Sequence, residues 1–264
     1  MQGGQPPIPP PQGSWVPQVA TGDELPGTKN GVPLSRRGRI ALNAAGFTDL
    51  SGDNSILALG LDVHLPVATR TFLDVRLPMA SVFPGNIMLG ASRTSKLDPR
   101  GFLSYGAQLG LPLATSNRGL DFKDFSLPNG TWNVHEYAAD FMPIKLAAGY
   151  ERMMGQSFTF RLDLEPVFFI PIGERGYNAA FALQHAAELQ FGHSIGAGLR
   201  IQGVAITQDI YDDAYQLSIE PFLVVKREVG FARLGLLMPI DDSVAGPAFD
   251  RAWGLRLDAG FHID

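Results

Sequence analysis

From Ser55 to Val67 the chain reads SILALGLDVHLPV, so that Leu57, Leu59, Leu61, Val63, Leu65 and Val67 alternate with Ala58, Gly60, Asp62, His64 and Pro66. A period of two sustained over this length separates a greasy face from a small or charged one only if the backbone is extended. The pattern recurs down the chain. Tyr105, Ala107, Leu109, Leu111 and Leu113 oppose Ser104, Gly106, Gln108, Gly110 and Pro112, and Phe158, Phe160, Leu162, Leu164, Phe168 and Ile170 oppose Thr159, Arg161, Asp163 and Glu165. Tyr215, Leu217, Ile219, Leu223 and Val225 face away from Gln216, Ser218, Glu220 and Lys226. Near the end, Trp253, Leu255, Leu257, Ala259, Phe261 and Ile263 face away from Gly254, Arg256, Asp258, Gly260 and His262.

Marking every such segment predicts about twelve strands, near 38–48, 54–67, 70–80, 85–94, 101–114, 131–152, 156–171, 178–192, 194–206, 213–227, 229–241 and 250–263. Connections after odd-numbered strands are mostly long and those after even-numbered strands mostly tight, as in an up-and-down barrel with loops at one end and turns at the other. Around Pro143 the parity of NVHEYAADFMPIKLAAGYER slips, which predicts a bulge or two shorter strands. In AFALQHAAELQF, sending Phe181, Leu183, Leu189 and Phe191 outward carries His185 out with them.

Alternation alone fits any half-buried sheet, so the polarity of the two faces has to decide between a soluble and a membrane barrel. The second face is rich in Gly, Ala, Ser, Gln and Pro, with charges of both signs at mid-strand. That is a thin coat against water but a workable lining for a lumen, while the apolar face suits lipid. Tyr105, Trp132, Phe158, Phe168, Tyr215, Trp253 and Phe261 are expected near strand ends, where aromatic girdles form. The expected fold is therefore all-β, an up-and-down antiparallel transmembrane β-barrel of about 12 strands over residues 37–264, preceded by a flexible Pro/Gly-rich tail over residues 1–36.

Composition narrows function. No apolar run approaches the roughly 18 to 20 residues of a membrane-spanning helix. A net charge of −5 without a basic, aromatic-interleaved cluster excludes a nucleic-acid partner. The absence of Cys removes disulfides and thiolate chemistry. MQGGQPPIPPPQGSW has neither the basic nor the apolar region of a secretory signal. We read the signal as already removed, with Met1 in its place, and expect the bacterial outer membrane as the location.

The run from Leu61 to Asn117 resembles the phenol meta-pathway (MetA-pathway phenol degradation-like) family of outer-membrane transporters. There a strand ending in Leu-Pro leads through a short Gly-Asp-hydrophobic start to another strand ending in Leu-Pro. Leu77-Pro78, Gly85-Asn86-Ile87 and Leu111-Pro112 occupy those places. The resemblance implies an outer-membrane location and passage of small molecules, hydrophobic ones among them, and assigns no site residues.

His64, His135, His185, His193 and His262 are isolated, no Gly-x-Ser-x-Gly elbow is present and HEYAAD lacks the second His of a zinc motif, so neither catalysis nor a metal or other cofactor is expected. The candidate functional residues are the mid-strand charges Asp62, His64, Asp74, Arg76, Arg93, Arg161, Asp163, Glu165, Arg200, Glu220, Arg233, Arg256 and Asp258, expected to line a lumen and select solutes by charge and size. Mixed acids and bases could equally pair and plug a narrow barrel.

The primary expectation is a narrow channel or transporter for small molecules. Its expected partners are the lipid bilayer, a small-molecule solute, and a periplasmic or membrane protein reached through residues 1–36. The alternatives are a filled-lumen structural or interaction barrel working through its loops or tail, and a soluble β-barrel binding an apolar ligand. A tight turn near Thr69 would set Asp62 opposite Arg76 and His64 opposite Asp74, with Val63 opposite Val75 and Leu65 opposite Leu73.

Overall fold

Asp62 opposes Arg76, His64 opposes Asp74, Val63 opposes Val75 and Leu65 opposes Leu73, which is the register that the alternating charges require. The hairpin closes at Thr69–Arg70, where Arg70 takes a left-handed φ of 60°, and a register shift between Pro66 and Ala68 admits the turn. This hairpin belongs to a computed structural model that describes residues 28–29, 32–33, 37–48, 55–80, 83–114, 135–155, 157–172, 178–192, 194–206, 215–240 and 253–263.

The elements in chain order are β1 (Thr28–Lys29), β2 (Val32–Pro33), β3 (Gly38–Thr48), β4 (Ser55–Ala68), β5 (Thr71–Ala80), β6 (Phe83–Pro84), β7 (Ile87–Asp98), β8 (Gly101–Leu111), β9 (Phe141–Met154), β10 (Phe158–Pro171), β11 (Ala180–Phe191), β12 (Ile195–Ile206), β13 (Tyr215–Lys226), β14 (Gly230–Pro239) and β15 (Trp253–Ile263). Apart from the β1–β2 pair and the short β6, each strand pairs antiparallel with its two neighbours. β15 pairs with β3 and β4 with β5, so twelve strands close into a barrel. Closure leaves no unpaired edge, which lets backbone polar groups sit in hydrocarbon. The expected tail over residues 1–36 lies outside the described residues except for β1 and β2.

The alternation sorts the two walls. Leu42, Leu57, Leu162, Leu199, Leu223 and Leu255 are exposed on the outside, Leu42 by 66% and Leu223 by 62%. Ala58, Gln184, Glu188, Gln202, Ser218 and Glu220 are buried on the inside. An apolar outer wall around a polar interior is the reverse of a soluble barrel and the arrangement that lipid demands. Phe158, Tyr215 and Trp253 stand at the first positions of their strands and Phe168 and Phe261 close to the ends of theirs, whereas Tyr105 sits in the middle of β8. Trp132 lies outside the described residues.

Two expectations need correction. Among the described residues the strand expected over 131–152 starts only at Phe141, because 135–140 form a short 3₁₀ segment and turns, and β9 then keeps one parity through Pro143 without a bulge. Asp140, with a φ of 64°, makes the corner into β9, a conformation that Asp tolerates. His185 does face outward. It stacks on Tyr215 with ring centroids 5.8 Å apart, and its Nε2 lies 3.2 Å from the Tyr215 hydroxyl, which supplies the polar partner that an outer-wall imidazole needs.

Candidate permeation pathway

The registers of β9 to β13 place Glu151 opposite Arg161, Arg161 opposite Glu188, Glu188 opposite Arg200, and Arg200 opposite Glu220. A row of alternating charge thus crosses five strands on the inner wall. Arg161 Nη2 donates to Glu151 Oε2 at 2.8 Å, and Arg161 Nη1 and Arg200 Nη1 lie 3.8 and 3.9 Å from the Glu188 carboxylate. Carboxylates this buried persist only when paired, since an isolated buried ion costs several kcal/mol.

Arg233 on β14 completes the row from the side. Its Nη1 donates to Glu188 Oε2 at 2.6 Å and its Nη2 to Glu220 Oε1 at 3.0 Å, while the guanidinium carbon sits 3.7 Å from the centre of the Phe222 ring. Glu220, fully buried, also accepts from Gln202 Nε2 at 3.2 Å. A Cβ on Gly235 would come within 2.3 Å of Glu220 Oε1, so the missing side chain on β14 makes the space that this carboxylate fills. Arg256 Nε lies 3.1 Å from Asp258 Oδ2, and its Nη1 is 3.9 Å from Glu220.

On the opposite wall, Asp62 Oδ2 accepts from Asn43 Nδ2 at 2.8 Å and Arg76 Nη1 at 3.3 Å, and His64 Nδ1 bonds Asp74 while its ring stacks 4.0 Å from Phe72. Between the walls lies a cavity of about 200 Å³. It is lined by Arg39, Ala41, Asn43, Asp62, Arg76, Arg161, Glu188, Gln190, Arg200, Phe222, Val224, Lys226, Phe231, Arg233, Arg256, Asp258 and His262. Towards the loop end, Asp163 and Glu165 line a smaller space of about 40 Å³, and Glu165 is 3.4 Å from Lys145 Nζ.

Twelve of the thirteen expected residues therefore point inward. The exception is Arg93, which is exposed on the outer wall directly opposite Tyr105, because Met88, Gly90, Ser92 and Thr94 take the inward positions of β7. A long Arg stem can lie along apolar surface with its head toward the interface, so the outward position is tolerable.

The loop end is narrowed by a segment that no periodicity announced. His135, Glu136, Tyr137 and Ala138 fold into the barrel and are all buried, and Ala138 packs with Phe141, Val167, Phe169, Ala180, Ala182, Val204 and Ile206. Asn86, itself fully buried, holds the segment. Its Nδ2 donates to the carbonyls of His135 and Ala138 at 3.1 and 3.0 Å, and its Oδ1 accepts from the amides of Leu113 and Ala114 at 3.1 and 3.0 Å. Gly85 permits the approach, since a Cβ there would lie 2.4 Å from the Glu136 carbonyl oxygen.

Glu136 meets Arg76, whose Nε is 2.5 Å from Oε1, in an ion contact without the alignment of a hydrogen bond. Burial pushes the Glu136 carboxyl up to about 6 and holds the His135 imidazole well below its usual range.

Sequence reasoning missed Glu151 and Glu188 as lumen groups, and it put Lys226 on the polar face of its strand without counting it among the candidates. Glu188 was within reach, because it shares parity with Gln184 and Gln190 opposite the outward Phe181, Leu183, Leu189 and Phe191. Glu136 carried no signal.

No family model and no curated protein matches the chain. Among solved structures it is similar to the COG4313 outer membrane channel from Pseudomonas putida F1, with a TM-score of 0.60 at 12% identity over 86% of this chain and 96% of that one. It is also similar to the NanC porin, with a TM-score of 0.57 at 7% identity over 84% and 100% of the two chains. The KdgM porin follows with a TM-score of 0.51 at 10% identity over 85% and 99%. At these identities the likeness is one of fold, a closed twelve-stranded antiparallel barrel.

Proposed function

We propose that the protein is a bacterial outer-membrane channel that passes small molecules through a narrow, charge-lined lumen. The observation that carries this reading is the inversion of polarity, with leucines on the outer wall and ionised side chains around an interior cavity of about 200 Å³. In this arrangement the bilayer surrounds the barrel and the tight turns at Thr69–Arg70 and at 99–100 face the periplasm, as in other barrels of this build. The kinship with phenol meta-pathway transporters belongs to the same proposal. It is supported by the way its three sequence elements meet: Gly85 N donates to Pro78 O at 2.8 Å, Ile87 pairs with Leu111, and Asn86 binds the amides just past Pro112.

Single-channel recordings in planar bilayers, with swelling of liposomes in small sugars and amino acids, test the reading. Discrete conductance steps or swelling are expected, and a barrel that folds into the bilayer yet passes no solute refutes it.

The inward-folded His135–Asp140 segment favours a second reading, a filled barrel that acts through its loops or through residues 1–36 on a periplasmic or membrane protein. Deleting residues 1–36 separates the two, since partner binding is lost under the second and permeation survives under the first.

A further inference from the structure

The carboxylates of the inner row are covered and their cationic partners are not. Glu151, Glu188 and Glu220 side chains are exposed by 5%, 6% and 0%, against 16%, 21% and 13% for Arg161, Arg200 and Arg233. The cavity surface is accordingly cationic, with seven Arg and Lys side chains on its lining and three Asp and Glu. The hydrogen-bond partner of Lys226 Nζ is the neutral amide oxygen of Gln190, at 2.6 Å. The partly exposed guanidinium groups, held in place by buried acids behind them, and this ammonium beside them are preorganised for a carboxylate or similar oxyanion.

We propose that this chamber is a transit site for small organic anions, so that the pore passes anions in preference to cations; the inference rests on the channel reading above. A chamber of about 200 Å³ admits an ion of a few heavy atoms. Phe231 on the same lining gives the carbon body of such an anion an apolar edge. The acidic residues Asp163 and Glu165 lie outside this chamber, toward the loop end, and Glu165 is balanced by Lys145. Rings of fixed cations select anions by raising their local concentration and repelling cations.

The test reconstitutes the full chain in planar bilayers under a tenfold gradient of potassium chloride and then of potassium acetate. The reversal potential is expected to have the sign of an anion-preferring pore in both salts. The anion-to-cation permeability ratio should fall several-fold in Lys226→Gln and in Arg200→Gln. Heat-modifiable gel mobility checks that each variant folds, and Lys226→Gln, which orphans no carboxylate bonded to it, carries the test if Arg200→Gln does not fold. A cation-preferring pore overturns the inference and leaves the channel reading standing.

If no conductance is seen, the channel reading fails. Equilibrium dialysis of the detergent-folded protein against labelled acetate then decides the chamber by itself. Saturable binding lost in Lys226→Gln supports an anion site in a closed barrel, and no saturable binding by the unaltered protein overturns it.

Discussion

Arg233 and Glu188 meet at 2.6 Å although β12 and β13 lie between the strands that carry them. A side chain from β14 therefore reaches over two strands to neutralise a carboxylate on β11, and on the way it caps Glu220 and rests on Phe222. Pairs between adjacent strands fix a wall, whereas a pair of this reach fixes how much of the lumen is left open.

Arg233→Leu is expected to strip two buried carboxylates of their strongest donor at once. A loss of about 3–5 kcal/mol is expected from orphaning buried acids. Urea titration of the barrel folded into lipid vesicles, followed by tryptophan fluorescence, measures it. Adding Glu188→Leu to the same chain should recover part of the loss, and a double variant no more stable than the single one would show that Glu188 is not the orphan.

Asp62 and Arg76 oppose each other on β4 and β5 and bond at 3.3 Å. Asp62→Lys sets two cations side by side and should weaken folding, and adding Arg76→Asp should restore it, with a coupling of roughly 0.5–3 kcal/mol in a double-mutant cycle. The recovery should be incomplete, because Arg76 also meets Glu136 and an acid there would face another acid.

Asn86→Ala removes four hydrogen bonds and leaves the carbonyls of His135 and Ala138 and the amides of Leu113 and Ala114 without their side-chain partner. A destabilisation of about 1–3 kcal/mol per buried group left unsatisfied sets the scale. The sharper readout is local: amide hydrogen exchange should rise over 135–138 and 113–114 and stay unchanged in β12 and β13. Equal acceleration across the barrel would contradict Asn86 as a local clasp.

Glu136 sets a pH dependence. Its carboxyl is raised from the ordinary 4.5 to about 6 by burial, so between these values the folded chain holds the proton more tightly than the unfolded chain. Stability from this group is fully present below pH 4.5 and is lost as pH rises through 6, with a total change of about 2 kcal/mol. Unfolding titrations at pH 4.5 and 7 measure it, and Glu136→Gln should abolish that part of the slope. A slope of the opposite sign that disappears in Glu136→Gln would mean the carboxyl is stabilised as the anion by Arg76.

The faces of the strands were legible because one alternation serves both walls, and the Asp62–Arg76 register was legible because each hairpin strand repeats the same charge spacing. Other features had no local signature. Arg93 was misplaced because a charge in a strand reads as lumen-facing until its neighbours Ser92 and Thr94 are weighed with it. The His135–Asp140 segment runs straight into the alternation of β9 and so passes for strand, and what sets it apart is contact with residues distant in sequence, such as Asn86, 49 residues away from His135. Arg233 was singled out as a lumen residue, but its bond to Glu188 depends on the width of the barrel, which no single strand encodes.

Hydrophobic alternation has a blind spot: sliding a strand by two residues keeps every leucine outside. The row from Glu151 to Glu220 does not share it. A two-residue slip at β10–β11 would set Arg161 against Ala186 or Gln190 in place of Glu188, and one at β12–β13 would set Arg200 against Ser218 or Phe222 in place of Glu220. Such a slip costs nothing at the lipid surface and strands charge inside. The interior charges thus act as a proofreading code for assembly, rejecting closures of the barrel that the membrane would accept.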